Sequence, residues 1–90
     1  MKKIERAADR YHREILKQTE SFTIVGYVPG APMIRLTKFE SLKAAKDRSI
    51  KLMEDNPRMR TAMLYASDQH ERHVLVGSYD RELTFWPTQN

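Results

Sequence analysis

The stretch from Thr37 to Pro57 constrains the fold most, because it is the best-marked helix in the chain and strand-like segments lie on both sides of it. Thr37 and Glu40 have the spacing of a capping box, and Ser41 is an alternative N-cap one turn later. Asn56 precedes Pro57 and so predicts the end of the helix. One face is apolar or small and must pack against the flanking strands. Its members are Leu42, Ala45, Ser49, Leu52 and Met53.

Segments rich in β-branched and aromatic residues on either side of this helix predict strands. Residues 21–28 and 33–37 precede it, and the turn-forming Pro29-Gly30-Ala31-Pro32 between them predicts a hairpin. Three further segments follow the helix, at residues 58–66, 73–79 and 82–86. The first of these three is mostly apolar on both faces, which predicts a central strand.

Another helix is predicted ahead of the strands, from about Lys2 to Thr19, giving the order α-β-β-α-β-β-β. The connections are short, so we expect antiparallel neighbours in a sheet of four or five strands. We expect the helix at 37–57 to lie across one face of that sheet, with the first helix beside it or over an end. We therefore predict an α+β two-layer fold, with residues 1–90 forming a single domain.

One side of the first predicted helix is basic. Its five cations recur every three or four residues, within an arc of about 80° that contains no acidic residue. They are Lys3, Arg6, Arg10, Arg13 and Lys17. Such a strip matches a phosphate backbone or an acidic protein surface, although Lys and Arg are also good helix formers that commonly face solvent. Arg58 and Arg60, at the start of the third predicted strand, could extend the basic surface.

Charge is unevenly distributed along the chain. Residues 1–60 carry 14 Lys/Arg and 8 Asp/Glu, whereas residues 61–90 carry 2 and 4. This asymmetry predicts an acidic macromolecule as partner, docked on one side. Cysteine is absent, which excludes disulfides and thiolate metal sites. The chain shows neither the apolar run of a signal peptide nor a span-length apolar stretch, so we expect a cytoplasmic location and no membrane partner. The sequence leaves the oligomeric state open.

The sequence contains few candidates for metal-ligating or catalytic residues. His70 and His73, with Asp68 and Glu71, fall in a predicted turn and at a strand start, where no helix places the imidazoles on one face. We therefore predict no metal site and no cofactor. The serines are explained as caps, turns and strand edges, and none lies in a nucleophile elbow, so the chain is not predicted to be an enzyme.

Aromatic residues on the last three predicted strands allow two interpretations. They could form a base-stacking platform of the kind that sheet-type RNA binders use, or they could be core and cross-strand pairs. The residues are Tyr65, Tyr79, Phe85 and Trp86. Trp86, next to Pro87, is the one we expect to be partly exposed.

The layout and the helix entry at 39–45 resemble small accessory proteins of bacteriophages and mobile elements, including some anti-CRISPR proteins with a helix on an antiparallel sheet. That resemblance implies a small non-catalytic binding or inhibitor protein. It would dock its basic helix face on a nucleoprotein complex, a nucleic acid or an acidic protein surface.

In size, pI of 9.6 and its three closing strands, the chain also resembles the ribosome-dependent endoribonucleases of toxin–antitoxin pairs. This alternative implies a small RNA-cleaving toxin with basic and aromatic side chains around the scissile phosphate. The matching residues would be Arg72, His73, Tyr79 and Arg81. The chain departs from that family because a hairpin separates its two helices, whereas the family places its helices together.

Overall fold

The computed structural model describes residues 7–88, with side chains from Arg10 onward other than that of His12. The predicted α+β class and element order are confirmed. The elements are α1 (Ala7–Lys17), β1 (Ser21–Tyr27), β2 (Ile34–Phe39), α2 (Leu42–Asp55), β3 (Thr61–Ser67), β4 (His73–Tyr79) and β5 (Phe85–Pro87). The predicted start of the first helix at Lys2 lies outside the described residues.

The five strands form one antiparallel sheet in the order β2-β1-β3-β4-β5. The hairpin of β1 and β2 and the central position of β3 were both predicted. The largest differences from the predicted strand boundaries are at the starts of β3 and β5. β3 begins at Thr61 because Met59 N donates to Asn56 O in a turn, and β5 begins at Phe85 because a second turn joins Leu83 N to Asp80 O.

Helix α2 begins one turn later than the first predicted N-cap. Thr37 lies in β2, so the capping box predicted there is wrong. Ser41 is the N-cap, and its hydroxyl oxygen accepts a 3.0 Å hydrogen bond from the backbone N–H of Ala44. The helix ends before Pro57 as predicted, and the side-chain amide of Asn56 donates to the carbonyl of Leu52. Each end therefore has a partner for an otherwise unpaired backbone group.

Both helices pack on the same face of the sheet, which we call the covered face. Helix α2 buries its predicted apolar side over Ile24 of β1 and Leu64 of β3, both fully buried. Helix α1 places fully buried Ile15 against Ala66 of β3 and Val74 of β4. The two helices therefore cover different parts of one surface.

Two mid-strand glycines explain how closely this face is packed. A Cβ on Gly26 would lie 2.5 Å from the terminal methyl of Met59, and a Cβ on Gly77 would overlap the ring of Phe85. The absence of a side chain in these strands makes room for the two larger residues.

Two strands contain an extra residue. Between the pairs Phe22↔Phe39 and Ile24↔Leu36, β2 has one residue more than β1, and Lys38 within this bulge has a φ of 67°. β4 has an extra residue at Val76. The β2 bulge lies at an edge of the sheet, where bulges are common.

Candidate functional site

The basic strip of α1 is accessible over its described part. Arg10, Arg13 and Lys17 are exposed, on the side of the helix opposite buried Ile15. Lys3 and Arg6 lie outside the described residues. Exposure alone does not test binding, so binding by this strip stays a prediction.

Arg58 and Arg60 lie elsewhere, beside the first residue of β3. The structure places them with Arg81 around an open pocket of about 310 Å³, whose walls include Pro29 and Pro57. We call this the arginine pocket. Helix α1 packs near the far end of β3, so the pocket and the α1 strip are toward opposite ends of a strand roughly 20 Å long. The predicted basic residues thus form two separate surfaces.

Arg81 lines this pocket and is anchored by three hydrogen bonds to backbone carbonyls. Its Nη1 donates to the carbonyl oxygens of Met53, Asn56 and Met59, at 3.1, 3.3 and 2.9 Å. These carbonyls belong to the C-terminal end of α2 and the turn after it, where unpaired acceptors and the helix dipole favour a cation. Arg81 therefore joins α2 to the turn that follows β4.

Arg58 and Arg60 have a different environment. Both are exposed, and neither forms a side-chain hydrogen bond or ion pair with another residue in the described range 7–88. No carboxylate is among the described residues that line the pocket. Guanidinium groups bind phosphate and carboxylate through parallel N–H donors, so a pocket with three of them suits an anion. The sequence pointed to Arg58 and Arg60 as one basic surface and to Arg81 only in the endoribonuclease alternative, and the tertiary fold brings the three together.

The face of the sheet opposite the helices carries no helix in the described part of the chain, and we call it the open face. Strand register aligns five of its residues in a row, one from each strand. From β2 to β5 they are Arg35, Val25, Met63, Ser78 and Trp86. None of them belongs to the two core clusters of the covered face.

The four aromatic residues for which a stacking platform and core pairs were both considered are divided between the two faces. Tyr79 and Phe85 lie in the covered core with ring centroids 5.2 Å apart, whereas Tyr65 and Trp86 lie on the open face. Trp86 is 60% exposed, as expected from its position beside Pro87. Tyr27, 43% exposed, adds an aromatic ring near the pocket end of the open face.

Trp86 is fixed in place although it is exposed. Its indole N–H donates to the Asp80 carboxylate at 2.8 Å, and that carboxylate also accepts from the backbone N–H groups of Glu82 and Thr84. The indole hydrogen bond, followed by the backbone ones, lowers the pKa of Asp80 below its ordinary value. A charged acceptor with three donors holds the ring in one orientation.

The polar cluster at 68–73 is organised by Asp68. Its side chain is fully buried and lies 2.6 Å from Nε of Arg72. Burial by itself would raise the pKa of Asp68, but the backbone N–H groups of Arg72 and His70 and the guanidinium of Arg72 lower it. Among the described residues, no group of three or more His, Asp or Glu could hold a metal ion.

Ser67 and His73 form a contact that the sequence did not predict. The serine hydroxyl lies 2.6 Å from Nδ1 of His73, because the two residues are direct partners across β3 and β4. Asp68, the adjacent carboxylate, is occupied by Arg72 rather than by the imidazole. The contact is a cross-strand pair in a polar groove that also includes Arg35 and Lys38.

The four residues of the endoribonuclease alternative are not brought together. Arg72 and His73 are at the start of β4, and Arg81 follows its end, a separation of roughly 20 Å along an extended strand. Tyr79 is 3% exposed and belongs to the core. A single phosphate cannot contact all four side chains in this arrangement.

The chain matches no known protein family, no curated protein and no solved structure. Within residues 7–88, neither helix is long and apolar enough to cross a membrane.

Proposed function

We propose that the protein is a non-catalytic binding protein that docks its basic surfaces on a nucleic acid. The observation that carries the proposal is the arginine pocket, where Arg58, Arg60 and Arg81 surround an open space with no carboxylate among the described lining residues. Like charges held together without counter-charges cost free energy, and a bound phosphate would offset this cost.

The separation of the basic surfaces favours an extended partner. The arginine pocket lies beside the start of β3, and α1, with exposed Arg10 and Lys17, packs near its end. A polynucleotide presents phosphates continuously over such a distance, whereas a small anion would occupy only one surface. A chain of this kind acts by occupying its partner, which is how an inhibitor or accessory protein works.

The proposal is tested by titrating the protein into a fluorescein-labelled nucleic acid of about 20 nucleotides. Fluorescence anisotropy then measures the affinity at about 50 and 200 mM salt. Arg58→Glu should weaken binding by about tenfold or more and reduce the salt dependence, because a phosphate contact is replaced by repulsion. Lys51→Glu is the matched control, since it makes the same charge change on an exposed position of α2. Equal losses in the two variants, or no binding at low salt, would contradict the proposal.

The α1 strip is tested separately with the double variant Arg10→Glu and Lys17→Glu. Both positions are exposed, so the thermal midpoint of the double variant should change little. Its loss of affinity relative to the unaltered protein should be larger at low salt than at high salt. Unchanged affinity would exclude the strip and leave the arginine pocket as the docking surface.

A further inference from the structure

The open face has the properties of a ligand platform rather than of an ordinary solvated surface. Its row from Arg35 to Trp86 crosses all five strands, about 19 Å at the usual strand spacing. Val25, Met63 and Leu75 provide half-buried apolar area between these ends. A contiguous apolar patch with polar borders is characteristic of a binding site.

Aromatic rings on this face are available for stacking. Tyr65, with Arg35 and His73, lines a pocket of about 180 Å³. Trp86 is 60% exposed but held by Asp80, so a ligand that stacks on it would find the ring already oriented. Stacking on such rings is tolerant of base identity, because every nucleobase has a π-face.

The charges on the β2 side of the open face favour a polyanion, whereas the carboxylate at the β5 end, that of Asp80, is neutralised in part by its hydrogen bonds to Trp86, Glu82 and Thr84. Arg35 and Lys38 line the polar groove on the β2 side, and the carboxylates that line it are those of Asp68 and Glu71. Asp68 is buried and paired with Arg72, which leaves Glu71 as the exposed acid among the described lining residues. A second copy of the chain docked through this face would present the same cations and few acids to pair with them. Its charges therefore match the face less well than those of a polyanion.

We propose that the partner is a single-stranded nucleic acid, which crosses the open face with bases stacked on Tyr65 and Trp86. Its phosphates lie toward Arg35 and Lys38 and continue to the arginine pocket beside Tyr27, whose carbonyl pairs with Arg60 N. This inference rests on the proposed nucleic-acid function and adds the strandedness of the partner. A duplex keeps its bases stacked internally and cannot present them to these rings.

Trp86 is the sole tryptophan in the chain, so its fluorescence reports directly on the open face. Titration with oligo(U) or oligo(dT) of about 12 nucleotides should quench it, whereas a duplex of the same length should leave it nearly unchanged. Tyr65→Ala should weaken single-strand binding by about five- to 100-fold.

Two matched controls separate the open face from general effects. Tyr11→Ala removes a 48% exposed ring on α1, and Lys51→Glu reverses a charge on α2. We expect both to bind single strands nearly as well as the unaltered protein, whereas Tyr65→Ala and Arg35→Glu do not. Thermal midpoints of all four variants show whether each remains folded.

Three results would overturn the inference. The first is equal binding of single strands and duplex with no quenching and with Tyr65→Ala equivalent to Tyr11→Ala, which would leave nucleic-acid binding to the arginine pocket and the α1 strip. No binding of either nucleic acid would reject both proposals. Dimer formation seen by light scattering, with a concentration-dependent change in Trp86 emission, would assign the face to a second copy of the chain.

Discussion

The two faces of the sheet use neighbouring residues of the same strands for different purposes. On β3, Leu64 points into the covered face and is fully buried, whereas Met63 and Tyr65 on either side of it remain half-buried on the open face. Burial of apolar area is the main favourable contribution to folding. The covered face therefore provides most of the stability, and the open face can carry exposed aromatic and basic side chains without weakening the core.

The largest effect expected from this comparison is on stability. Leu64→Ala should lower the free energy of unfolding by about 2–5 kcal/mol, because it leaves a cavity in the core under α2. Met63→Ala, one residue away on the open face, should cost about 1 kcal/mol or less because its side chain is already partly solvated. Urea denaturation of both variants measures the difference, and equal losses would show that the faces are not distinct in the way described.

An intermediate effect is expected within the arginine pocket. Arg81→Ala should destabilise the fold by about 1–3 kcal/mol, because three carbonyl groups lose a charged donor. Arg58→Ala should change stability by less than about 0.5 kcal/mol, because its exposed side chain has no partner in the described chain. Thermal unfolding of the two variants tests this. A larger loss for Arg58→Ala would mean that its role is structural.

The smallest effect concerns the pH dependence of the open face. The pKa of Asp80 in the folded state lies below its ordinary value of 3.8. Its hydrogen bonds therefore stabilise the folded state at pH values above 3.8, and this stabilisation is lost as the pH falls through the folded-state pKa. Trp86 emission should therefore stay constant from neutral pH down to about 4 and change only below it. Asp80→Asn should abolish this transition. A transition near pH 6 in the unaltered protein would contradict the assignment of Asp80.

Local signals in the sequence were sufficient for most of the fold. The proline after Asn56 ends α2, and alternation of side chains marks the strands. The capping box predicted at Thr37 was wrong because Thr37 and Ser41 are both good N-caps and the local sequence does not choose between them. Pairing of β2 with β1 through Leu36 and Phe39 keeps Thr37 extended, and this tertiary contact overrides the local preference.

The candidate sites were less predictable because they depend on contacts between distant segments. Arg58 and Arg60 were recognised as basic residues at a strand start, but nothing local places Arg81 beside them. The aromatic residues are split between the faces, with Tyr65 and Trp86 opposite Tyr79 and Phe85. This placement depends on strand register and on which face the helices cover. The sequence of a single strand determines neither the register nor the covered face.

The bulge at Lys38 has a consequence for how copies of this protein meet. Exposed edge strands can recruit another strand and lead to aggregation. Here one edge is distorted at a lysine with positive φ, and the other is the three-residue β5, which ends at Pro87 and so lacks an amide donor there. Both borders thus disfavour the addition of a strand from another copy, so contacts between copies through the sheet would have to use its open face rather than its edges.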